Sequence, residues 1–235
     1  MTFLGVNQTK GVLKDSRIRR AISLAIDKKA LAKVVLDGRA VANDQIVAPG
    51  VAGFVKGFDG TGYSPSKAKK LLAEAGYSGQ SIPLEYATSG RIPLSSEIAQ
   101  AIGGYLKAVG IDVDLVGMDQ ASLSAKIYGT VNMAGLYLNT WAPSTMDGDM
   151  PASNLFGGGQ NDYAKSPALA ALVKDQRTVA GADRLADFEK IARTNADDAD
   201  ILPLFTPKAD YAVNSTLSWT PRVDGEFVVS DIHTR

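Results

Sequence analysis

Between Leu84 and Asp147 the chain alternates strand-like and helix-like periodicity, and this alternation restricts the fold more than any other feature. Leu84 to Thr88 is a short run with strand character. Leu94, Ile98, Ala101, Ile102, Tyr105, Leu106 and Val109 then recur on one helical face until Gly110. Ile111 to Val116 follows as a second strand, Asp119 can cap a short helix through Leu123 and Ile127, and Met133 to Leu138 makes a third strand. Two successive β-α-β crossovers imply parallel strands whose carboxyl ends share one edge. Ligands gather at that edge in open α/β sheets, so the loops Ser89 to Arg91, Gly117 to Asp119 and Asn139 to Asp147 are expected to form one rim and to hold any binding site.

The remaining segments supply the cover for such a sheet. Phe3 to Val6 reads as a strand. Asp15 caps a helix carrying Ile18, Ala21, Ile22, Ala25 and Ile26, and Asp27 restarts a second helix through Leu31, Val34 and Val35 to Gly38. Arg39 to Tyr63 is glycine-rich and irregular; Ser64-Pro65 then opens a helix with Ala68, Leu71, Leu72 and Ala75. After Asp147 the chain passes Leu155-Phe156 and Gly157-Gly158-Gly159, whose spacing fits neither a phosphate-binding loop nor a dinucleotide fingerprint and reads as a connector. Ser166-Pro167 opens a helix with Leu169, Leu172, Val173 and Gln176, and Asp183 opens another with Leu185, Phe188, Ile191 and Ala192. Ile201 to Phe205 and Tyr211 to Val213 read as strands, and Ser215 to Arg235 as a covering segment or an edge strand. The fold class is α/β, with β-α-β units and a mainly parallel sheet flanked by helices.

Composition removes several functional classes. Lys plus Arg and Asp plus Glu are balanced at 25 each, with no long basic run, which argues against nucleic acid or an anionic membrane as the main partner. The chain has no cysteine, so thiol catalysis, disulfides and thiolate metal sites are excluded. Its single histidine, His233, cannot build a His-based triad or a His-rich metal site, and no cofactor motif is present. No apolar run approaches the roughly 18 to 20 residues of a membrane helix. Residues 1–10 lack the basic start, apolar centre and cleavage site of a secretory signal, so either the protein stays where it is made or the signal lies elsewhere.

The order of motifs resembles a known family. The strand Phe3 to Asn7, the run Leu13-Lys-Asp-Ser-Arg-Ile-Arg-Arg-Ala-Ile-Ser-Leu-Ala-Ile-Asp27, Gly38, Pro49, the run Tyr63-Ser-Pro-Ser-Lys-Ala-Lys-Lys-Leu-Leu-Ala-Glu-Ala-Gly-Tyr77 and Gly110-Ile-Asp-Val are together similar to the family 5 extracellular solute-binding proteins, the peptide, nickel and opine receptors of ABC importers. The resemblance covers nearly the whole chain and matches the C-terminal half of such receptors. It implies one lobe, residues 1–235, of a periplasmic or extracellular two-lobe protein that closes on an oligopeptide, opine or related solute and delivers it to an ABC permease. The N-terminal lobe would then be a further partner. Residues 206–235, with the surroundings of Asn7, would meet it, and self-association of the lobe alone is expected from the apolar surface left uncovered.

The same resemblance directs attention to the loop after Asn139. In peptide-binding members an aspartate three residues beyond the tryptophan pairs with the peptide amino terminus; here that position is Ser144, and the acidic residue comes later, at Asp147. This leaves room for a sugar, an opine or a metal chelate. Trp141 would supply a flat apolar wall, Asn139, Ser144 and Thr145 short hydrogen-bonding groups, and Arg91 a fixed charge for a carboxylate or phosphate. Trp141 beside Pro143 is equally readable as loop packing, and Arg91 as a solvated loop residue. A carboxylate-dependent glycoside hydrolase using Asp147 and Glu85 is a rival reading, and an assembly lobe that binds no solute is another.

Overall fold

The computed structural model describes residues 1–142, 144–222 and 224–235, so Pro143 lies outside the described residues. A six-stranded sheet has the order β2-β6-β1-β5-β3-β4. Its strands are β1 (Thr2–Val6), β2 (Ala40–Ala42), β3 (Ile82–Ala87), β4 (Val113–Met118), β5 (Leu136–Thr140) and β6 (Ile201–Pro207). The β-α-β reading holds, because β3 is parallel to both β4 and β5. The other half of the sheet is antiparallel, with β1 between β5 and β6 and β2 on β6. Strands β3, β4, β5 and β6 therefore all point their carboxyl ends at one edge, while β1 and β2 run against them.

Each strand alternates its side chains between two cores, as a sheet covered on both faces must. Leu4, Val6, Leu84, Leu136, Leu138, Leu202 and Leu204 face one core. It is capped by helices α1 (Ser16–Ala25), α3 (Pro65–Glu74) and α4 (Ser95–Ala108). Asp15 accepts from the Arg17 amide to start α1, and Asp27 accepts from the Ala30 amide to start α2 (Lys28–Ala30), which runs on as a π-helical turn, Leu31–Val35. Phe3, Tyr137 and Ile201 face the second core, with Leu123 of α5 (Gln120–Ser124), Phe156 of α6 (Asp149–Phe156), Leu169 of α7 (Pro167–Asp175) and Phe188 of α8 (Gly181–Asp198). Gly5 is required here by close approach: a Cβ on it would lie 1.9 Å from Cζ of Tyr137, its partner across the sheet.

Three expectations are corrected. Ala40–Ala42 is a strand inside the segment read as irregular, and Asp149–Phe156 is a helix where the sequence suggested only passage. Pro151 sits in the first turn of that helix, where a missing N–H costs little. Tyr211 to Val213 is not a strand: the chain has left the sheet after Pro207, and Tyr211 packs edge-on against Trp219 and Phe227 instead. The tail forms only a two-stranded ribbon, β7 (Leu217–Ser218) with β8 (His233–Thr234). Asn7 follows β1 directly. It lies at the edge opposite the carboxyl ends, its amide nitrogen donating to Gly135 O at 2.9 Å and its side chain to Met133 O at 2.7 Å.

At that opposite edge a buried ion pair ties α1 to the junction of α8 and β6. The Arg19 guanidinium lies 3.3 Å from Asp200 and donates to the carbonyls of Leu13, Lys14, Asp198 and Ala199. Burial pushes the Asp200 carboxyl above its ordinary range, against the opposing pulls of the Gln8 amide and of Arg19. Removing the cation alone would strand a buried carboxylate and four carbonyls. Arg19→Met should therefore cost about 3–5 kcal/mol of unfolding free energy in urea titrations. A loss below about 1 kcal/mol, the range of an exposed pair, would show that the hub is not needed.

Candidate functional site

The carboxyl edge is built by the loops that leave four strands. Thr88, just past β3, donates its amide to Met118 O at 2.9 Å, and the Arg91 amide donates to Gln120 Oε1 at 3.3 Å, so the loops after β3 and β4 are stitched together. Past β5, the Trp141 amide donates to Met1 O at 2.9 Å, which brings the start of β1 to the same edge. At the far side the Lys208 amide donates to Arg39 O at 2.8 Å, joining the end of β6 to the start of β2. The three loops expected to share a rim do share it.

The individual residues are placed differently from one another. Trp141 is half-buried, and its indole N–H has no acceptor among the described residues. Arg91 is exposed, and its guanidinium makes no ion pair or hydrogen bond among the described residues. Ser144 and Thr145 are exposed, with hydroxyls directed toward the Met150 sulfur at 3.3 and 3.9 Å. Asn139 is buried in β5 and spends its amide on the Tyr128 hydroxyl at 2.9 Å. Asp147 is held by the Arg184 fork at 2.6 and 2.8 Å. That bond keeps its carboxyl below the ordinary carboxylate range, and the Arg177 bond does the same for Asp149.

Thr145 and Asp147 line an open hollow of about 570 Å³ together with Met150, Asn154, Arg177 and Arg184. Its floor is Gln176, which is fully buried, accepts from Arg184 Nε at 2.9 Å and donates to Asp149. Arg184, Arg177 and the bridging role of Gln176 were not found in the sequence. The available signal was a polar residue continuing the apolar stripe of α7 at its C-cap, because a buried amide needs partners. Glu85 is not among the residues that line this hollow: it is buried in the middle of β3, where Lys126 and the Ala134 amide, at 2.6 Å, occupy its two oxygens. A hydrolase built on Asp147 with Glu85 therefore loses its paired carboxylates.

A family profile described as "Bacterial extracellular solute-binding proteins, family 5 Middle" matches residues 1–163. The nickel-binding periplasmic protein of Escherichia coli (strain K12) is 30% identical over 135 residues, 53% of this chain and 26% of that protein. The glutathione-binding protein GsiB of Salmonella choleraesuis (strain SC-B67) is 28% identical over 161 residues, 66% of this chain and 30% of that protein. Among solved structures, the ABC transporter substrate-binding protein CtaP of Listeria monocytogenes superposes with a TM-score of 0.86 at 24% identity, covering 99% of this chain and 50% of that one. The oligopeptide-binding protein AppA of Bacillus subtilis, in complex with a nonapeptide, gives 0.82 at 18% identity, covering 100% and 50%. At these identities the structures show a shared fold. The chain spans about half the length of these solved proteins, and its matches cover less than a third of the curated relatives.

The two depressed carboxyls set a pH signature. A group whose folded pKa lies below its unfolded value adds stability that is present above the unfolded value, about 3.9 for aspartate, and is lost as pH falls through the folded one. The stability difference between the parent chain and Arg184→Met, small because the pair is partly exposed, should therefore be constant near neutrality and shrink in the acid range below about pH 4. Denaturant titrations across that range check this. A difference that persists unchanged after Asp147 has been protonated would assign the effect of Arg184 to packing rather than to its ion pair.

Proposed function

Because this chain belongs to the bacterial extracellular solute-binding proteins of family 5, we propose that it is one lobe of a two-lobe ABC-importer receptor, and that its carboxyl rim supplies half of the cleft that captures a peptide-like solute. The observation that carries this reading is Trp141: a half-buried indole at the end of β5, with an N–H lacking an acceptor among the described residues, on the edge where strand ends converge. Trp141 offers a flat wall, Arg91 a charge for a solute carboxylate, and Ser144 and Thr145 hydroxyls for its amides. Asn139 and Asp147 contribute by supporting the loop, since their polar atoms are engaged by Tyr128 and Arg184. The relatives are named as binding proteins, and binding without turnover is part of the same reading.

The topology supports a second lobe at this edge. Strands β1 and β6 are neighbours, with Thr2 opposite Phe205, so the chain passes the rim twice within adjacent strands. Residues 206–235 leave from that edge with Trp219 stacked on Phe227 at 4.9 Å, while Phe227 and Val229 remain 63% and 79% exposed. Cover of this apolar surface by the other lobe is the role proposed for the tail, and the extracytoplasmic location and the permease partner follow from the family.

Enclosure by two lobes has an energetic consequence. Immobilising the solute costs the same whether one lobe or both make contact, so half the contacts give far less than half the affinity. Titration calorimetry of this chain with a panel of di- and tripeptides, glutathione included, should give binding on the order of millimolar or none, about 4 kcal/mol at most. In a two-lobe protein containing this sequence, Trp141→Ala should weaken binding of the best panel member about tenfold, near 1.4 kcal/mol. Micromolar binding by the single lobe would contradict a shared cleft, and unchanged affinity in the Trp141 variant would move the site off this loop.

A further inference from the structure

We infer that Arg184 is a positioning residue of the rim: by clamping Asp147 from the first turn of α8, it fixes residues 144–149 and with them the part of the rim beside Trp141. The inference rests on the reading of that segment as part of the solute face. Arg184 donates through Nη1 and Nη2 to both oxygens of Asp147, at 2.8 and 2.6 Å, and through Nε to Gln176 at 2.9 Å. Gln176 passes the connection on to Asp149, which Arg177 also grips at 2.7 and 3.1 Å. Two aspartates of the loop and the start of α6 are thus held by two arginines around one fully buried amide.

The clamp works on a segment already under constraint. Met146, immediately before Asp147, has a φ of 52°, a left-handed conformation that a side-chain-bearing residue adopts only when its surroundings impose it. Gly148, immediately after, cannot carry a side chain, since a Cβ would meet Val47 at 2.8 Å and Phe188 at 2.9 Å. The Arg184 guanidinium lies over that same Phe188 ring, 5.1 Å from its centroid. The Gly148 and Ala52 amides donate to Ala52 O and Met146 O at 2.8 and 3.0 Å, pinning the backbone to residues 51–54. Side chains of the Arg184 and Asp147 pair keep 24% and 32% of their exposure, so solvent screening leaves the pair little weight in global stability. Its bidentate geometry, by contrast, fixes orientation, which a point charge would not.

The test needs no solute, so its outcome is independent of the calorimetry. In a Trp219→Phe background Trp141 is the sole tryptophan, and its acrylamide quenching reports access to the rim. Arg184→Met should raise the quenching constant about twofold with a red-shifted emission, while the urea midpoint followed by circular dichroism moves little, as expected for a local release. Arg184→Lys should fall between the two, keeping the charge but not the fork. Arg193→Met, which removes another exposed pair on α8, with Glu189, should leave Trp141 unchanged. Should Arg184→Met fail to fold, Asp147→Asn releases the same clamp from the loop side and carries the same expectation. Unchanged quenching in the Arg184 or Asp147 variants, or equal effects in the Arg193 control, would overturn the inference.

Discussion

Because β1 runs antiparallel to β5, with Thr2 opposite Thr140 and Val6 opposite Leu136, the chain enters the sheet at the edge where the parallel strands release their carboxyl ends. This pairing places the remaining parts. It sets Met1 beside Trp141, it leaves the other side of β1 for β6, and it buries Phe3 and Tyr137 together on one face, in edge contact at 6.5 Å. Gly5 makes the register possible, since no other residue would leave room for the Tyr137 ring. A shift of one residue would move every apolar side chain of β1 to the wrong core.

The two ends of the sheet handle charge in opposite ways. At the edge away from the rim, Arg19 and Asp200 are 5% and 2% exposed and surrounded by carbonyls, so they serve the fold and are costly to separate. At the rim the aspartates and arginines are partly solvated and linked through Gln176, an arrangement that contributes orientation more than stability. In the proposed reading, the groups left at the rim for a solute are the Trp141 face, the Ser144 and Thr145 hydroxyls and the Arg91 guanidinium, which has no partner among the described residues; such a set would suit a molecule with both apolar and carboxylate parts.

Much of this was legible in the sequence because local rules and the fold agree. Asp15, Asp27, Asp119 and Ser166 cap the helices they were expected to cap, and Ile98, Ile102, Leu106 and Val109 of the expected stripe are buried, whereas Leu94, which precedes α4 in a left-handed conformation, is 47% exposed. What was not legible depends on contacts distant in sequence. The strand Ala40–Ala42 exists only because β6 offers it an edge, and the run at Tyr211 fails to become a strand because no edge is offered. Of the rim residues, Trp141 and Arg91 could be named from type and position, whereas the fate of Asp147 was fixed by Arg184, 37 residues away, which no local pattern announces.

The central claim, that solutes meet this lobe on the carboxyl rim, is tested most directly by mapping backbone and indole amide resonances of the isotopically labelled chain during titration with short peptides at millimolar concentration. The account predicts shifts confined to the Trp141 indole N–H and to the amides of Thr88 to Arg91, Met118 to Gln120 and Ser144 to Asp147. Resonances of Asn7, Gly135 and Asp200, at the opposite edge, should stay fixed. Shifts that centre on the opposite edge, or on the separate hollow at Asp59 to Gly62 between α1, α3 and α8, with the Trp141 indole unmoved, would contradict it.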